Sequence, residues 1–135
     1  MIKHNQIEHV KFFLIILFFL VLDQVSKNFM VLYFQSSILN ELYIIKLTSF
    51  FNLVLNWNKG VSFGMLNNIN NGDIILSVVM ILMIVSLFIW YFRSKNKKLL
   101  LPLSMIISGA LGNLMDRIRY GAVVDFLDFH VMEYH

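Results

Sequence analysis

Three long apolar runs constrain this chain of 135 residues more than any other feature. The first is Phe12 to Leu22, eleven residues with no polar side-chain atom. The second is Ile74 to Phe92, nineteen residues without a charge, and the third is Leu99 to Met115. A helix needs about 20 mainly apolar residues to cross a bilayer. Hydrocarbon offers no partner to backbone polar groups, so such runs cross as helices. Composition agrees: 59% of residues are hydrophobic and 14% charged, against roughly half and a quarter in a soluble domain. The absence of cysteine excludes disulfides, thiol chemistry and cysteine metal sites. The net charge of +3 comes from basic residues set beside the apolar runs. That placement suits membrane topology, so no nucleic-acid partner is expected.

The expected fold class is an α-helical polytopic membrane protein, one membrane domain over 1–135, with spans at about 10–28, 74–92 and 99–116. To reach spanning length, the first helix must carry Asp23 and Lys27 at or just inside its end. A cleaved signal peptide is the rival reading, with Lys3 and Lys11 as its basic region. Asp23-Gln24-Val25 after Leu22 is not a small-x-small cleavage site, so an uncleaved span is expected. The second run opens after Asn71-Gly72-Asp73, a turn followed by a good N-cap. It closes on Trp90-Tyr91-Phe92, an aromatic belt, and Arg93. The third carries Pro102 in its first turn, where proline is tolerated. Ser104, Ser108 and Gly112 then fall four apart, a small-residue stripe for close helix packing.

Arg93, Lys95, Lys97 and Lys98 crowd the short loop between spans two and three, which should be cytoplasmic. Lys3 and Lys11 place the N-terminus on the same side. The stretch 28–72 and everything after Met115 then lie outside, and all acidic residues except Glu8 sit at or beyond that outer boundary. Tyr43-Ile44-Ile45 and Phe50 to Trp57 are rich in β-branched and aromatic residues. They predict a small β-rich outer segment over about 34–72. Asn58-Lys59-Gly60 and Gly64 supply turn positions. Val123-Val124-Asp125-Phe126 is a further strand-like piece in a C-terminal outer segment, 117–135.

Several residues could carry chemistry. Asp23 and Lys27 share one helix face and can pair. They are either a boundary ion pair with Lys27 snorkelling, or a pair that faces protein because charge inside a span is costly. Asn113, Asp116 and Arg117 point to nearly the same side as Gly109 and Gly112. They are either a polar helix end or a site that another backbone or a ligand approaches closely. Asp125 is flanked by Val124 and Phe126. It is either a half-buried reactive carboxylate or a solvated edge-strand residue beside Asp128. His130, Glu133 and His135 are a weak metal signal, and no metal is expected. No Gly-rich phosphate loop, Gly-x-Ser-x-Gly elbow or His-Glu-x-x-His run occurs.

Four blocks together carry a resemblance: Leu22-Asp23-Gln24-Val25-Ser26-Lys27, Asn58-Lys59-Gly60-Val61-Ser62-Phe63, Gly109 to Arg117, and Gly121-Ala122-Val123-Val124-Asp125-Phe126. In order, interval and placement they closely resemble the lipoprotein signal peptidases (signal peptidase II) of bacteria, across nearly the whole chain. Ser62 stands where alanine is common in that family. The resemblance implies an aspartic endopeptidase of the inner membrane, with its site at the outer leaflet. Its substrates would be diacylglyceryl-modified prolipoproteins, cut just before the lipidated cysteine. Asp125 would be one of two catalytic aspartates. Asp23, Lys27, Asn58, Gly60, Asn113, Asp116 and Arg117 would shape the site and hold substrate or the catalytic pair. No cofactor is implied; membrane lipids are the surroundings, and a monomer is expected.

The family has a fourth span, with its second catalytic aspartate in an Asn-x-Ala-Asp block at the start. These 135 residues contain no such block. The expectation is therefore a fragment or a truncated product that lacks the complete pair and does not cleave. The alternatives are a non-catalytic membrane protein that binds lipoprotein precursors, or a small transporter or channel subunit with a polar path.

Overall fold

A computed structural model describes residues 2–37, 44–60, 72–94 and 96–129. Three helices dominate: α1 (Ile2–Ser37), α2 (Gly72–Arg93) and α3 (Leu100–Tyr120). Among the described residues, the segments long and apolar enough to cross a membrane are Gln6–Ser36, Ile74–Arg93 and Lys97–Tyr120. The chain is a polytopic α-helical membrane protein with a small sheet at one end of its helices. The helix that contains residues 10–28 runs on at both ends. Asp23 and Lys27 therefore lie well inside it rather than at its end. The run Phe29-Met30-Val31-Leu32-Tyr33-Phe34 offers neither glycine nor proline to stop it, and the helix continues through Gln35 to Ser37.

Helix α3 packs between the other two. Leu103, Ser104, Ile107 and Ala110 are buried against Phe12 and Ile16 of α1 and Ile84 of α2. The stripe of small residues is used here. Ser104 is fully buried, donates to Leu100 O at 2.7 Å and lies 3.5 Å from Phe12 O across the interface. No hydrophobic force drives helices together in lipid, so close packing of this kind holds them. Near the short loop that joins α2 to α3, the Phe12 and Tyr91 rings stack at 3.5 Å, tying α1 to α2. Tyr91 also donates to Glu8 O at 3.3 Å and meets His9 Nδ1 at 3.1 Å. Asn96 starts the α3 entry turn by accepting from Lys98 N–H at 3.1 Å.

The sheet has the order β1 (Ile44–Lys46), β2 (Phe51–Asn58), β3 (Val123–Phe129), antiparallel throughout. Leu47 and Thr48 both donate to Phe51 O, closing the β1–β2 turn. The helix α3 stops at Gly121, whose φ of 68° puts it in the left-handed region, and Gly121 N–H caps Arg117 O at 2.9 Å. Only glycine takes that conformation without penalty, so it converts helix into strand within two residues. The strand-like reading of 123–126 extends in the structure to Phe129. The β-rich segment begins after α1 ends at Ser37 rather than at 34. Tyr43, the turn at Asn71, residues 61–71 with Gly64, and His130, Glu133 and His135 lie outside the described residues.

Because Phe12 is fully buried and stacked on Tyr91, Phe12→Ala should loosen α1 from α2. With lipid rather than water around the helices, the ring gains little from hydrophobic transfer. The expected loss is thus at the lower end of the Phe→Ala range, about 3 kcal/mol, read as a lowered denaturation midpoint in detergent.

Candidate functional site

The two helices α1 and α3 cross at the sheet end, and their polar residues meet there. Positions 23, 24 and 27 form one face of α1 by the spacing of neighbouring turns. Positions 112, 113 and 116 do the same on α3. Gly112 makes the crossing possible: a Cβ there would collide with the Asp23 carboxylate. The backbone thus comes within reach of side chains that would otherwise be held apart.

Lys27 is the centre of the cluster. Only 7% exposed, its ammonium lies 3.0 Å from Asp23 Oδ2 and 2.8 Å from Asp116 Oδ2. It also donates to Asn113 Oδ1 at 2.9 Å. Three donors thus meet three acceptors. Lys27 does not snorkel to the boundary; the protein-facing reading of the pair is the one the structure takes. Asp116 is 1% exposed. Its Oδ1 accepts from Gln24 Nε2 at 3.0 Å, and its Oδ2 accepts from Val124 N–H at 3.3 Å as well as from Lys27. Gln24, absent from the expected site residues, is a full member. Its place next to Asp23 and three before Lys27 was the available signal, since that spacing puts all three on one face.

Arg117 turns the other way. Its Nη2 donates to Gly60 O at 3.4 Å and its Nη1 meets Met80 Sδ of α2 at 3.0 Å. Its Nε is buried and has no partner among the described residues. Asn58 Oδ1 accepts from Gly60 N–H at 3.1 Å, an Asx-turn that presents the Gly60 carbonyl. So Asn58, Gly60 and Arg117 form a second link, between β2 and α3. Gly109 joins neither group. With open space at its Cα, it lines an exposed groove of about 440 Å³ between α1 and α3, with Phe19, Leu22, Asp23 and Met105.

Asp125 lies in β3 opposite Asn56, next to an irregularity in the ladder. Val54 and Leu55 of β2 face the single residue Phe126 there, a bulge that re-aims neighbouring side chains. Alternate residues of a strand face opposite ways. Val124 is buried toward the helices, whereas Asp125, Leu127 and Phe129 share the more open face. The Asp125 carboxylate accepts from Leu127 N–H at 3.4 Å. The Lys27 cluster reaches it through the backbone, by way of Val124.

A polytopic membrane protein with a buried ionic cluster beside a small sheet at one end of its helices is the class this geometry defines. Residues 15–135 match the family model described as signal peptidase (SPase) II, and the chain belongs to that family. The chain is 39% identical over 114 residues to the lipoprotein signal peptidase of Anaplasma marginale, a match covering 84% of this chain and 64% of that protein. It is 42% identical over 113 residues to the Rhodopseudomonas palustris lipoprotein signal peptidase, covering 83% and 67%. The chain therefore spans about two thirds of the length of these relatives. A bacterial membrane enzyme solved by the in meso method at 2.3 Å resolution superposes with a TM-score of 0.71 and 24% identity. That match covers 93% of this chain and 74% of the other, and it shows the shared fold.

Lys27→Met would leave Asp23 and Asp116 facing each other without the cation between them. Removing one partner of a buried ion pair costs about 3–5 kcal/mol. The variant is expected to fold poorly or melt far below the parent in detergent.

Proposed function

We propose that this chain is the body of an aspartic endopeptidase that removes signal peptides from diacylglyceryl-modified prolipoproteins, with Asp125 as one of its two catalytic aspartates. The observation that carries the reading is the Val124 N–H held by buried Asp116, which fixes the strand immediately before a half-exposed Asp125. Family membership supplies the reaction class and the substrate class. Peptide hydrolysis by two carboxylates needs one to take a proton from water and the other to donate to the carbonyl or leaving amine. Like charges that close do not both ionise cheaply, so the pair shares its protons unequally. The partner of Asp125 belongs to the family's Asn-x-Ala-Asp block. Asn58, Gly60 and Arg117 shape the substrate side, and Asp23, Lys27, Asn113 and Asp116 support the strand.

The topology that suits this chemistry places the N-terminus and the loop bearing Arg93, Lys97 and Lys98 in the cytoplasm, by their positive charge. The sheet and Asp125 then lie at the outer leaflet of the inner membrane. The substrate's lipid stays in the bilayer there while its scissile bond reaches water. The protein acts as a monomer in this reading, without metal or cofactor.

The test uses a lipidated precursor in proteoliposomes. A chain that carries these residues together with the family's Asn-x-Ala-Asp block is expected to cleave it, and Asp125→Asn in that chain to lower turnover by about 10²–10⁴-fold or more. The 135-residue chain alone is expected not to cut. Parental turnover in Asp125→Asn would remove that residue from the mechanism. Cleavage by the 135-residue chain would mean that another carboxylate completes the pair. Capture of the precursor without cleavage by the chain that carries the block would favour a binding protein instead.

A further inference from the structure

We infer that Gln24 is a positioning residue: its side-chain amide sets the Asp116 carboxylate so that Asp116 holds β3 immediately before Asp125. Gln24 Nε2 donates to Asp116 Oδ1 at 3.0 Å, to Asp23 Oδ2 at 3.1 Å and to Gly112 O at 3.3 Å. Its Oε1 accepts from Arg119 Nη1 at 3.3 Å. Two hydrogens thus serve three acceptors on one side, and a guanidinium donor occupies the other. The reversed amide would set its oxygen against two carboxylates and a carbonyl, and its NH₂ against a group that only donates. One setting of the amide is therefore chemically viable, and Arg119 fixes it.

Lys27 does not take over this role. Its three donors already serve Asp23 Oδ2, Asp116 Oδ2 and Asn113 Oδ1. It pulls on one oxygen of Asp116 and leaves rotation about the Cβ–Cγ bond open. The Gln24 bond to Oδ1 closes that freedom and fixes the carboxylate plane. Oδ2 is then aimed at Val124 N–H at 3.3 Å. Val124 is 2% exposed, so water does not readily replace that acceptor, and losing it leaves a buried donor unsatisfied. The strand would shift at the residue next to Asp125.

This inference rests on Asp125 as the catalytic carboxylate. Its test reads geometry without turnover, so its failure is separate from failure of the peptidase reading. Amide hydrogen exchange would be followed by NMR on the 135-residue chain in lipid nanodiscs. In Gln24→Leu, exchange at Val124 is expected to rise by roughly tenfold or more, the scale of one hydrogen bond to a charged group. Exchange at Asp128 and Phe129, at the far end of the same strand, should stay as in the parent. Arg119→Met removes an exposed side chain that the fold tolerates. It should accelerate the same Val124 amide by a smaller factor, and it decides the question where Gln24→Leu does not fold. A general packing role for Gln24 would instead accelerate exchange along α1 and α3. That pattern overturns the inference, as does unchanged exchange at Val124.

Discussion

The ammonium of Lys27 between two carboxylates is the interaction on which the sheet end of this molecule depends. A charge within an apolar helix is costly, and it persists where protein surrounds and pairs it. Here the cation neutralises Asp23 on its own helix and Asp116 on α3, while Asn113 takes its last donor. A buried ion pair by itself is weak evidence of stability, because desolvation offsets much of the attraction. Its value lies in direction. The two acceptors that Lys27 meets on α3, Asp116 and Asn113, fix where α1 and α3 cross, and Gly112 lets the backbones come close enough for the contact to form.

From that crossing the rest is placed in sequence. Asp116 reaches from α3 to Val124 of β3, and β3 pairs with β2. Arg117, one residue further, reaches the Gly60 carbonyl beyond the end of β2 and touches α2 at Met80. The Asp116-Arg117 dipeptide therefore ties strand β3, the end of β2 and helix α2 to one turn of α3. Such neighbouring contacts are coupled, so substitutions among them will not add independently.

Much of this was legible in the sequence. The apolar runs gave three helices because period and length leave few other ways to satisfy backbone groups in lipid. The β-branched and aromatic segments gave strands where Ile44–Lys46, Phe51–Asn58 and Val123–Phe129 form them. The end of α1 was not legible. An apolar run shows where lipid begins to be tolerable, not where a helix stops, and nothing between Asn28 and Gln35 breaks one. The divergence of Arg117 from Asn113 and Asp116 was also hidden. Long side chains leave a shared face in whichever direction their partners lie, and Gly60 and Met80 come from distant segments. Gln24 escaped notice because a neutral amide carries no charge signal. Its spacing from Asp23 and Lys27 puts it on their face, but its role follows from the convergence of Asp23, Asp116 and Gly112 O on it.

Burial and hydrogen bonding also separate the two aspartates of the Asn-x-x-Asp-Arg and Val-Asp-Phe blocks. Asp116 is nearly inaccessible, and each of its oxygens is occupied: one by Gln24, the other by Lys27 and Val124 N–H. Three donors hold this carboxylate, and its burial leaves no room for a substrate carbonyl. Asp125 has the opposite surroundings. It lies on the open face of its strand, with a local backbone bond to Leu127 N–H that leaves oxygen capacity unused. Proton transfer requires a group within hydrogen-bond reach of the reacting atom. Of the two carboxylates, Asp125 is the more accessible. The division follows from the fold itself. The buried carboxylate directs its charge to Lys27 and its geometry to Val124, and the next residue along the strand, Asp125, is held beside that anchor and stays partly exposed.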